Sequence, residues 1–132
     1  MVFFRSSCYS CSVTLLQFHA ALGNAVLLFS LAIGLYGIFI YLRKRTITPS
    51  FWGTLAIGEL LYLAQVAVGL LLVIQGDRPG RSVHILYGIL PVITLPAAYA
   101  FTNGREDHRA AFMYGLIGLF LAGVSLRAIT TA

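Results

Sequence analysis

Charge is scarce in this sequence. Nine basic and four acidic residues make up 10% of the 132, where a soluble domain carries roughly 25%. With 59% hydrophobic residues and a mean hydropathy of +0.89, that shortage excludes an ordinary water-soluble domain. Cysteine is nearly absent: Cys8 and Cys11 alone cannot complete a tetrahedral zinc site. Carboxylates are rarer still within the apolar segments, where Glu59 stands alone. Strict alternation of polar and apolar residues is missing as well, which excludes the strands of a membrane barrel.

What remains is four long apolar runs, at about 13–42, 53–74, 83–102 and 110–129. Crossing a bilayer takes about 18 or more apolar residues, and within hydrocarbon a helix satisfies its own backbone. The expected fold is therefore all-α: one integral membrane domain over residues 1–132, an up-down four-helix bundle with short loops. Residues 1–12 read as a lead carrying Arg5, Cys8 and Cys11, and the first helix is expected to begin near Val13. The apolar run that follows is too long for a signal-peptide core. Thr46–Ser50, Gly76–Gly80 and Asn103–Arg109 read as loops, and Pro91 with Pro96 predicts a kink in the third helix.

The net charge of +5 does not indicate nucleic-acid binding, because the basic residues sit beside spans, where they set topology. Arg43, Lys44, Arg45, Arg105 and Arg109 fall at one end of the bundle; Arg5, Arg78, Arg81 and Arg127 fall at the other. The compact Arg43-Lys44-Arg45 cluster points inward by the positive-inside rule, which leaves both termini outside. The expected location is the bacterial inner membrane.

Two histidines occupy matching places. His19 opens the first run and His84 the third, and glycine follows each by four residues, at Gly23 and Gly88. The first and third spans run in the same direction, so both imidazoles lie at one depth on one side. Neutral imidazole ligates iron well, and two histidines on two parallel helices can hold one haem iron axially. Gly23 and Gly88, one turn deeper, would leave clearance for a flat ring, and Arg78, Arg81 and Arg127 at the same end would meet its propionates. The expected cofactor is haem b with its iron on His19 and His84. The competing reading is a pair of interfacial histidines with glycines that pack helices closely. His108, at the opposite end, reads as a solvated loop residue.

Glu59 is the remaining candidate. Carboxylates within spans are costly and mark functional sites by default; here a proton relay, a quinone contact or a transport site is open, against a protonated residue bonded to a neighbouring helix. Gln65 lies near mid-membrane on the same helix, and Gln17 stands two residues before His19, within expected reach of the site mouth. Cys8 and Cys11 form either a disulfide, a redox-active dithiol or an unremarkable pair.

From Leu63-Ala64-Gln65-Val66-Ala67-Val68-Gly69 through Gly76 to His84, the chain resembles the haem A synthase family. In that family a helix with a similar Gln-x-x-x-Gly pattern leads, across a short outer loop, to a helix opening on a haem-ligating histidine. The separation of His19 and His84 also resembles that of the paired ligands in one of the family's two four-helix halves. The resemblance implies a haem-binding bundle with His19 and His84 as ligands. Synthase activity is not implied, because the family's glutamate ahead of its first ligand is missing here, where Leu15, Leu16, Gln17 and Phe18 stand. The expected function is thus electron transfer by a b-type haem, without independent catalysis, in a larger respiratory or photosynthetic complex. The lipid bilayer, other membrane subunits or a second copy, and a quinone are the expected partners. A haem-free structural subunit and a small Glu59-dependent transporter are the alternatives.

Overall fold

A computed structural model of the protein describes the backbone of residues 2–76 and 80–131, and the side chains of 14–76 and 80–130. It contains four helices: α1 (Val2–Leu42), α2 (Pro49–Ile74), α3 (Val83–Thr102) and α4 (His108–Thr131). All four are long and apolar enough to cross a membrane. The chain is an all-α four-helix bundle whose sequential neighbours pack together, with α1 also packed along α4.

The starts of α1 and α4 differ from the sequence expectation, whereas α2 begins at Pro49, where Pro49 with Ser50 marks a helix start in the sequence; each start has a local reason. No proline or glycine interrupts residues 1–22, so α1 begins at Val2 rather than near Val13. Thr48 caps α2, its hydroxyl accepting from the Phe51 amide, and Pro49 follows where a missing N–H costs nothing. Asp107 caps α4, its carboxylate accepting from the Ala110 amide at 3.3 Å. That cap makes His108 the first residue of α4 instead of a solvated loop residue: it is half-buried and stacked on Tyr41, 5.9 Å between centroids.

α1 and α3 end alike. Lys44 and Asn103 both adopt φ 52°, and the next amide in each case reaches back five residues: Arg45 to the Ile40 carbonyl at 3.1 Å, Gly104 to the Tyr99 carbonyl at 3.3 Å. Left-handed caps of this kind satisfy carbonyls that a helix end would orphan. The two loops are then tied together. The Ile47 amide donates to the Glu106 carbonyl at 2.8 Å, and the Trp52 indole donates to the Glu106 carboxylate at 3.2 Å.

Helix contact differs along the bundle. In a bilayer, lipid is as apolar as leucine, so close packing and hydrogen bonds hold helices together. α1 and α4 meet backbone to backbone: a Cβ on Gly37 would fall 2.7 Å from the Ala111 oxygen and the Gly115 Cα, and one on Gly118 2.6 Å from the Gly34 nitrogen. Towards the loop end, rings fill the core, with Phe51 against Tyr36 and Tyr114. Tyr114 bonds Thr102 there at 2.8 Å. Mid-bundle, Ser30 donates to the Val26 carbonyl at 2.7 Å, which leaves Tyr62 as donor in the Ser30–Tyr62 hydrogen bond. Tyr62→Phe removes that bond while Ser30 keeps Val26. The expected loss is about 0.6 kcal/mol, read from unfolding in mixed detergent micelles; a loss several times larger would show that Tyr62 holds more than Ser30.

Candidate metal-ligating site at the histidine end

α1 and α3 stand diagonally in the bundle, and α2 and α4 close the sides between them. At the end away from the loop clamp, His19 and His84 face each other with centroids 6.1 Å apart and planes at 69°. Both line a cavity of about 190 Å³, to which α2 contributes Tyr62 and Gln65 and α4 contributes Ser125 and Ala128.

The two imidazoles are held differently. His84 Nδ1 lies 2.8 Å from the Ala128 carbonyl. A carbonyl only accepts, so Nδ1 carries the proton and Nε2 keeps a lone pair. This is the arrangement that fixes the tautomer of a ligating histidine. His19 is half-buried, its Nδ1 has no hydrogen-bond partner, and its ring lies against Gly69, where a Cβ would fall 3.1 Å from Cε1. Gln65 donates from Nε2 to the His19 carbonyl at 3.1 Å, which ties α2 to the turn that carries His19. Its Oε1 and the Ser125 hydroxyl are buried without partners. Three unpartnered polar atoms around one cavity mark it as a place for a group that supplies their missing contacts.

The other expected residues distribute as follows. Gly23 and Gly88 both line the cavity. A Cβ on Gly88 would meet nothing within 4 Å, whereas one on Gly23 would crowd the Gln65 amide at 3.3 Å. Arg81 and Arg127 are exposed and do not line the cavity, although Arg81 precedes His84 by one turn and Arg127 adjoins Ala128. Arg78 lies outside the described residues, as do the side chains of Arg5, Cys8 and Cys11. Gln17 is exposed and away from the cavity, because two residues along a helix turn a side chain towards the opposite face. Glu59 sits apart, in the other half of the bundle. Sequence reasoning joined Gln65 and Gly69 to His84 only through the Gln-x-x-x-Gly pattern of the family resemblance, and it missed Ser125, which gave no signal.

Among the described residues no group of three or more His, Cys, Asp or Glu is placed to hold a metal ion. Comparison with protein-family models, curated proteins and solved structures gives no match for this chain.

Proposed function

We propose that the protein is a membrane b-type haem protein in which His19 and His84 would hold the iron and whose role is electron transfer within a larger respiratory or photosynthetic complex. The observation that carries this reading is the imidazole separation. The two rings line one cavity with centroids 6.1 Å apart, and a metal lies about 2 Å from an imidazole nitrogen, so one iron could come within reach of both. Among the described residues no third donor joins the two histidines, which favours haem over zinc, because a porphyrin would bring nitrogen donors of its own.

When bound, haem would supply a one-electron couple at its iron. The chain's residues would do the rest. The Ala128 carbonyl orients His84, Gln65 anchors the backbone of His19, and Gly69 leaves space for the His19 ring. Arg81 and Arg127 stand at the end where ring carboxylates would need cations. A porphyrin is larger than the cavity of about 190 Å³, so the helices would have to part at this end to hold one. The resemblance to one half of haem A synthase points the same way, and the basic Arg43–Arg45 cluster supports termini outside a bacterial inner membrane.

The test is an absorption spectrum of detergent-purified protein from haem-replete cells, oxidised and then dithionite-reduced, with a pyridine haemochrome assay. One low-spin b-type haem per chain is expected. A colourless protein would overturn the reading and leave a haem-free subunit in its place.

A further inference from the structure

The half of the bundle nearer the loops contains a second cavity, of about 230 Å³, between α2, α3 and α4. Its walls include three rings, Trp52, Tyr99 and Tyr114, together with Glu59 and Pro96. Trp52 meets Tyr99 and Tyr114 edge to face, each at 5.6 Å and at 76° and 79°. Tyr99, 56% exposed, opens the cavity towards lipid.

The Trp52 indole N–H is already committed to Glu106, and the Tyr114 hydroxyl is engaged with Thr102. Beside the Tyr99 hydroxyl at the exposed rim, what remains towards the cavity is accepting: ring faces, and a Glu59 carboxylate whose Oε2 is buried without a hydrogen-bond partner. Pro96 has no N–H, so the Val92 carbonyl one turn earlier loses its helical donor as well. No lysine, arginine or histidine among the described residues lines the cavity. An unpaired carboxylate at membrane depth is costly, and aromatic rings attract cations over their faces.

We infer that the Glu59 cleft binds a lipophilic organic cation, an ammonium or phosphonium centre on apolar groups, taken up from the bilayer. The positive charge meets Glu59 and the rings, and the apolar groups meet Leu55 and Leu95. This site does not depend on haem at the other end.

The test uses tritiated tetraphenylphosphonium in equilibrium dialysis against the full-length protein in detergent, with the emission of Trp52, the sole tryptophan, as a reporter of occupancy. One saturable site per chain is expected, with a change in Trp52 emission that saturates at the same concentration. Glu59→Gln, neutral and of the same shape, should weaken binding at least tenfold, and Tyr99→Leu, at an exposed position, several-fold. His19→Ala should leave binding unchanged. Equal binding by Glu59→Gln, absence of saturable binding, or displacement of the phosphonium by decylubiquinone would each overturn the assignment, the last in favour of a quinone site.

Discussion

Gly118→Ala should destabilise the bundle by about 1–3 kcal/mol, the cost of forcing an extra methyl group into a filled space, and Gly118→Leu should leave little folded protein. The added Cβ would lie 2.6 Å from the Gly34 nitrogen and 2.8 Å from its Cα. Both are backbone atoms, so no side chain can rotate away and α1 must move off α4. Moving it also loosens Gly37, Gly115 and the carbonyl of Ala111, which share the same contact. The matched control is Gly123→Ala on the same helix, where the new atom would meet nothing within 4 Å. It should be neutral or slightly stabilising, since alanine favours the helix. Unfolding of the two variants in mixed micelles, followed by circular dichroism, separates them. Equal stabilities would mean that α1 and α4 are not in backbone contact.

The second large effect is expected at the histidines. Removing a residue that merely orients a metal ligand typically lowers metal affinity or activity by 10–100-fold; removing a ligand should lower haem occupancy by at least tenfold. His84→Ala and His19→Ala should each abolish the low-spin reduced spectrum, with any residual haem five-coordinate and high-spin. The double variant should be colourless while its circular dichroism stays helical, because neither imidazole belongs to the buried core of the bundle. Gly69→Val offers a check that leaves both ligands in place: its side chain would press on a ring whose Cε1 lies 3.1 Å from a Cβ at that position. A full low-spin spectrum in His19→Ala would remove His19 from the site.

The spans were legible in the sequence because their signal is additive. Some twenty apolar residues without charge outweigh any local ambiguity, and α3 begins and ends where the apolar run does. The start of α2 was marked by Pro49, but that of α4 was less legible, since Asp107 extends it two residues beyond the apolar run through a single side-chain bond. The juxtaposition of His19 and His84 was readable from up-down topology alone, which returns the first and third helices to the same side. The walls around them were not. Gln65 and Ser125 face the cavity because of helix rotation about the bundle axis, and apolar runs surrounded by lipid carry little rotational information: α2 exposes Ile57, Leu60 and Leu70 as readily as it buries Leu55 and Leu72. The aromatic corner beside Glu59 was hidden for the same reason. It draws Trp52, Tyr99 and Tyr114 from three helices with no common spacing.

The backbone contact between α1 and α4 also bears on the order of assembly. Gly34 and Gly118, like Gly37 and Gly115, stand about 80 residues apart in the chain, so this is among the least local contacts in the fold. Spans enter a membrane before they pack against one another, and α4 is the last of the four to be made. Until it arrives, the glycine face of α1 meets only lipid, which cannot press as closely as another backbone. The two intervening helices must therefore wait beside an unfinished partner, and the tightest joint of the bundle is the one that closes it.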